Sequence, residues 1–294
     1  MAIDVEARHV KSVGAVLGEG PVWIQRDSTL RFVDIKQHRV YRFDPASGDL
    51  SFAVAPEQSG FVLPVKGDGF IVGCKNGLYR FDESSGQFTR ISQVEPHLPT
   101  NRLNDACVGP DQALWFGSMD DSESALSGAL YRCDEAGRST ALDKDICITN
   151  GPAFSADAKT FYHTDTMNKV VHAFDHSSDG KLSNKRVFVT IEEGAGYPDG
   201  SAVDSEGCVW IALWGGWGVR RYSPKGELLS TVRFPVSNVT KIAFGGTDRR
   251  TAYATSASKG LSDAERAKQP MAGDLFSFRV DVPGLPSYEV KMAG

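Results

Sequence analysis

One pattern recurs six times along the chain and constrains its fold more than any other feature. An oxygen-bearing side chain is followed four positions later by a large apolar residue. The pairs are Glu19 and Trp23, Ser59 and Leu63, Asn104 and Val108, Asn150 and Phe154, Asp199 and Val203, and Thr240 and Phe244. Successive starts are 40, 45, 46, 49 and 41 residues apart. Seven residues past each anchor a second apolar run opens, at Leu30, Phe70, Trp115, Phe161 and Trp210; the sixth copy opens one later, at Ala252. Third runs alternate in character (residues 40–44, 78–82, 130–134 and 171–175), glycine-bearing turns follow them, and a weaker fourth run closes most copies.

Four short runs per copy at a period in the forties, without a helical stripe, predict an all-β chain: a six-bladed β-propeller with four antiparallel strands per blade. The whole chain, 1–294, is read as a single propeller domain. Residues 5–16 precede the first copy and have no counterpart, so they are expected to supply the outer strand that closes the ring and removes an exposed edge. Residues 261–269, rich in Ala, Glu and Lys, predict a short helical insertion in the last blade. Asp44, Asp82, Asp134 and Asp175 end the third run of their copies and are expected to form turns.

Composition excludes several function classes. The chain carries 37 acidic and 32 basic residues, a net charge of -5, with no basic stripe; this argues against nucleic acid and anionic membranes. No apolar stretch reaches the length of a membrane span, and residues 1–10 hold no signal-peptide core. The five cysteines show no C-x-x-C spacing and lie in or beside apolar runs, as buried thiols do. A cytoplasmic location is expected. No G-x-S-x-G motif occurs, which disfavours a serine acyl-enzyme.

In a propeller the innermost strand of every blade starts near the axis, so Glu19, Ser59, Asn104, Asn150, Asp199 and Thr240 should converge on one channel mouth. Oxygen donors without Cys or His suit a hard or borderline divalent cation. The same residue types also cap turns, and spacing alone leaves both readings open. His163 falls in a strand and is read as structural; residues 214–217 (Trp-Gly-Gly-Trp) either wall a sugar site or pack at the rim.

Here the sequence resembles the SMP-30/gluconolactonase/regucalcin-like family of sugar lactonases. The resemblance rests on Leu17-Gly18-Glu19-Gly20-Pro21 with Trp23, Phe32-Val33-Asp34-Ile35, Asn101-Arg102-Leu103-Asn104-Asp105 and Leu114-Trp115-Phe116-Gly117-Ser118-Met119. It continues through Ile148-Thr149-Asn150-Gly151-Pro152, Tyr197-Pro198-Asp199-Gly200 and residues 210–216, in family order. It implies a six-bladed propeller with a catalytic divalent ion. By resemblance Glu19, Asn150 and Asp199 are expected to be metal ligands. From the chemistry of lactone opening, Asp199 is further expected to act as the catalytic base, since a carboxylate can hold the ion with one oxygen and leave the other free. Asn104 contacts substrate or water beside the metal, and Arg102 contacts substrate. Some relatives place a substrate-binding glutamate just after a Gly-Thr-Met motif. Here Met119 is followed by Asp120, Asp121, Ser122 and Glu123, which leaves that role unassigned.

The expected activity is metal-dependent hydrolysis of an aldonolactone in carbohydrate metabolism. Similarity to bacterial xylonolactonase- and arabinonolactonase-like members favours a pentonolactone. Oxygen ligation admits Ca2+, Mn2+, Fe2+ or Zn2+, and the oligomeric state stays open. The competing readings are a non-enzymatic metal-binding propeller that serves as an interaction scaffold, and a metal-dependent aryl-ester or phosphotriester hydrolase on the same fold.

Overall fold

The computed structural model describes residues 5–292 of the chain; the N-terminal four residues of the leader reading lie outside them. Six antiparallel sheets follow one another in chain order, each built outward from a buried inner strand. The inner strands are Gly18–Ile24, Ser59–Pro64, Asn101–Val108, Thr149–Phe154, Tyr197–Val203 and Val239–Gly245. They agree with the six repeats, and the chain is a six-bladed β-propeller.

The apolar anchors pack between blades. Trp23, Phe32 and Phe43 of blade one meet Ala243, Tyr253 and Leu275 of blade six in one cluster, and the Trp23 and Tyr253 rings stack 5.7 Å apart. Trp115 of blade three lies edge-on to Phe154 of blade four at 5.3 Å. Trp210 of blade five meets Phe244 of blade six at 5.9 Å. Each such side chain contributes roughly 1.5–3 kcal/mol on burial, so the core is a ring of interblade layers around the axis.

Ring closure follows expectation, with an addition. Arg8–Lys11 pairs antiparallel with Leu275–Arg279 as the outer strand of blade six. Ahead of it, Val5–Glu6 pairs parallel with Leu228–Arg233, so blade five gains a fifth strand. Asp274 fixes the path from Arg8–Lys11 to the first blade, accepting from Val13 N at 2.8 Å and Gly14 N at 3.0 Å. At the other end of the chain, residues 283–291 cross beneath the ring. Leu285 N donates to Val203 O (3.2 Å), Val290 N to Pro64 O (2.8 Å) and Lys291 N to Gln112 O (2.9 Å).

The helical insertion forms at Asp263–Lys268, where Ser262 and Glu265 make a reciprocal capping box. Asp44, Asp82 and Asp134 accept backbone N–H groups two residues on, in the hairpin turns. Asp175 departs from this. It accepts from Asn184 Nδ2 (3.1 Å) and Arg186 Nη1 (2.7 Å), tying its strand to the outer one instead of shaping a turn. All five cysteines are free, four of them buried and Cys107 half-buried. Among the described residues no helix is long and apolar enough to cross a membrane.

One feature places the site. Every inner strand slips register against its neighbour at its oxygen-bearing residue or immediately beside it: between Glu19 and Val22, Ser59 and Phe61, Leu103 and Ala106, Asn150 and Ala153, Pro198 and Ser201, and Val239 and Lys241. These residues are therefore members of the inner strands, each at or beside a bulge. A bulge bends the strand and re-aims side chains, and here it does so six times at one level of the channel.

Candidate functional site

The structure brings Glu19, Arg102, Asn104, Asn150 and Asp199 together in one pocket of about 320 Å³ at the mouth of the channel. All five are buried. Glycine makes the convergence possible at Gly20 and Gly151, whose φ angles are +54° and +56°. At Gly151 a Cβ would lie 2.5 Å from Thr164 Oγ1 and 2.7 Å from Ser201 Oγ, so only glycine fits the turn.

The amides form a chain. Asn104 Nδ2 donates to Asn150 Oδ1 and to Thr149 O, both at 2.7 Å. Asn150 Nδ2 donates to Thr166 Oγ1 at 3.0 Å, and Thr166 donates in turn to Pro198 O at 2.9 Å. The Asn150 carbonyl oxygen keeps a second lone pair. Arg102 donates from Nη1 to Asn104 Oδ1 at 2.5 Å and from Nε to Asp121 Oδ1 at 2.8 Å.

The carboxylates are electrostatically strained. Burial pushes the Glu19 carboxyl up to about 8, and the neighbouring Asp105 charge adds to this, against a hydrogen bond from Gly20 N. Burial, then the charges of Glu19 and Asp105, push Asp199 well above the usual carboxylate range. Asp199 Oδ1 is buried without a hydrogen-bond partner. Two desolvated acids sharing a site and an orphaned oxygen are what a divalent cation relieves. Among the described residues no three His, Cys, Asp or Glu side chains form an ion cluster by themselves. Here the two carboxylates would need the Asn150 amide and water or substrate oxygens to complete a shell, a donor set that hard and borderline cations accept.

Among the acids after Met119, Asp120 turns away: it accepts from Ser122 Oγ (2.5 Å) and Ser124 N (3.1 Å), which hold it below the usual range. Asp121 accepts from Arg102, Lys36 Nζ (2.6 Å) and Gln58 Nε2 (3.2 Å), and so orients the arginine. Glu123 lines the pocket and pairs with Lys259, which reaches across from blade six. Ser59 and Thr240 stand at the corresponding bulges but do not line the pocket. His163 is fully buried, stacked 6.4 Å from Phe161. Trp214 walls the pocket with Leu17, Met119, Ile148 and Tyr197, while Trp217 is exposed.

Sequence reasoning missed Asp105, Asp121 and Lys241. Lys241 Nζ donates to Asp105 Oδ1 at 2.5 Å and Ala106 O at 3.1 Å within the channel. A lysine amid the buried strand Val-Thr-Lys-Ile-Ala-Phe was the available signal, since buried lysines are paired.

Comparison with known proteins fits this picture. The chain is 37% identical to a 6-deoxy-6-sulfogluconolactonase of Pseudomonas putida over 92% of its own length and 93% of that protein's. It is 37% identical to an L-arabinolactonase of Azospirillum brasilense, covering 88% and 87%. The solved structure of a calcium-binding protein, regucalcin, from Agrobacterium tumefaciens superposes with a TM-score of 0.94 at 27% identity, covering 99% of this chain and 98% of that one. Residues 17–258 match the model of the SMP-30/Gluconolactonase/LRE-like region, and the chain belongs to that family.

Proposed function

We propose that the chain is a lactonase that hydrolyses a sugar lactone to the open sugar acid, with Glu19, Asn150 and Asp199 holding one divalent cation and a pentonolactone as substrate. The observation that carries this reading is Asp199 Oδ1, buried and unpartnered beside a second desolvated carboxyl. When bound, a divalent ion supplies an electrophile for the lactone carbonyl oxygen and lowers the pKa of water.

The chain's own residues do the rest. Asp199 would help hold the ion, and its carboxylate would take a proton from the water that attacks the carbonyl carbon. The ring C–O bond then breaks, and Asp199 returns that proton to the departing ring oxygen. Arg102 has its Nε and Nη1 engaged by Asp121, Asn104 and Leu103 O, which leaves Nη2 as the donor for a substrate oxygen. Asn104 holds Asn150 in place, with both its N–H groups spent on Asn150 Oδ1 and Thr149 O and its oxygen on Arg102. The apolar wall of Leu17, Met119, Ile148 and Trp214 gives the ring a face to pack on and limits water.

A second reading of the substrate has its own observation. Lys259 at the pocket wall is a cation whose partner is the half-exposed Glu123, a suitable counter-charge for an anionic substituent such as the sulfonate in the name of the Pseudomonas relative's substrate. Arg102 and Asn104 in the pocket favour a polyhydroxylated substrate over the aryl-ester rival, and the desolvated acids favour a cation site over a mere scaffold. The test is a panel of pentono-, hexono- and 6-sulfohexonolactones, assayed after chelation and again with Ca2+, Mn2+, Fe2+ or Zn2+ restored. Turnover restored by an ion, fastest on a pentonolactone, is expected; full activity after chelation ends the metal reading.

A further inference from the structure

The central channel has a second cavity, of about 180 Å³, and it lies at the opposite end from the pocket. Its walls come from the far ends of the same inner strands, including Val22, Leu63, Val108, Phe154, Val203 and Phe244, with residues 285–288 across its opening. One ion pair stands between the two cavities. Lys241 comes from blade six and Asp105 from blade three, on opposite sides of the ring, and their side chains are 8% and 2% exposed.

Asp105 is not free to bind a cation. Its Oδ1 accepts from Lys241 Nζ and from Ala106 N (2.7 Å), and its Oδ2 accepts from Gly151 N at 2.9 Å. Gly200 makes room for the lysine stem: a Cβ there would lie 2.5 Å from both Cβ and Cγ of Lys241. So the residue after Asp199 lacks a side chain because Lys241 runs past it. A methionine or leucine would fill the same space without desolvating two charges, and exchanging a buried ion pair for apolar residues is often neutral or stabilising. Packing alone therefore does not account for a lysine here.

We propose that Lys241 is a positioning residue that, through Asp105, sets how tightly the pocket holds its divalent cation. The inference rests on the metal reading above. Lys241 offsets the third buried carboxylate beneath Glu19 and Asp199, so the ion faces two uncompensated acids instead of three. Its charge is felt at both ligand carboxylates, where it opposes the upward push of burial. Asp105, pinned by Gly151 N–H, also fixes the bulge from which Asn150 projects.

The test is calorimetric titration of the ion-free protein with Ca2+ or Mn2+ alone, with no substrate. Lys241→Met should bind the ion about tenfold to a hundredfold more tightly, as expected for removing a nearby positive charge at intermediate dielectric. Asp105→Asn should bind it more weakly by a similar factor. The double variant, with the pair's net charge unchanged, should return to within about threefold of wild type. Where Lys241→Met does not fold, Lys241→Gln neutralises the charge and keeps a donor for Asp105, with the same expected direction. A lysine that merely fills space would give two single variants that both weaken binding, or a Lys241 variant within about twofold of wild type; either result overturns the proposal. If wild type itself takes up neither ion, it is the metal reading that fails.

Discussion

Asn104 Nδ2 lies 2.7 Å from Asn150 Oδ1, so a side-chain bond between blades three and four orients the amide that faces Glu19 and Asp199. Asn104→Ala leaves the Asn150 amide held only through its Nδ2 bond to Thr166. The loss of one buried amide bond is worth ~1–3 kcal/mol, so ion affinity should fall by about ten- to a hundredfold. Titration with Mn2+ checks this, and circular dichroism should show the propeller intact.

Asp199→Asn keeps the size of the side chain and an oxygen for the ion but removes the base. Turnover should drop by roughly 10²- to 10⁴-fold, with measurable ion binding retained. Glu19→Gln should instead lose the ion and the rate together. An Asp199→Asn protein with near-normal kcat would remove this residue from the base role.

The ion-free protein should become less stable as pH rises. Glu19 is held at about 8 in the folded chain against 4.5 when exposed, and Asp199 is raised as well. Between those values the folded state binds more protons than the unfolded state, so unfolding free energy falls with pH. Thermal melts of chelated protein should therefore show a lower Tm at pH 8 than at pH 5.5. Added divalent ion should restore it most at the higher pH, and Glu19→Gln should flatten the trend.

Asp121 is a support for Arg102, bound to it at 2.8 Å and itself held by Lys36 and Gln58. Asp121→Asn weakens a charge-assisted bond worth ~1.5–3 kcal/mol. Steady-state kinetics should show KM raised about tenfold with a smaller change in kcat, the same direction as Arg102→Ala and weaker than it.

His163 sets an acid limit on the fold. Burial lowers its pKa to about 4 from 6.5, and neither ring nitrogen has a partner. The imidazole is neutral in the folded chain, so stability is full above pH 6.5 and is lost as pH falls toward 4, by about 3 kcal/mol at the end of that window. His163→Leu should remove this loss; melts at pH 7 and pH 5 compare the two proteins.

The six inner strands, the closing strand and the five pocket residues were legible because repeat spacing survives in a linear chain. The bulges were not, since a register slip exists only between paired strands. For the same reason Asp105 and Lys241 escaped notice: each follows a pocket-level residue, and strict alternation would turn it to the other face. The bulges at Leu103/Ala106 and Val239/Lys241 bring both into the channel. Asp121 escaped because four polar residues follow Met119 and only their partners distinguish them.

Six bulges at one height amount to six equivalent sockets, and this chain fills two of them with small hydroxyl residues. Ser59 Oγ is buried without a partner, while Thr240 Oγ1 is spent on Gly18 O at 2.6 Å. A carboxylate or amide placed at Ser59 would enter from a direction no present donor uses. On the proposed cation reading, a longer oxygen donor at this one position is the change that would extend the pocket's donor set to a further blade.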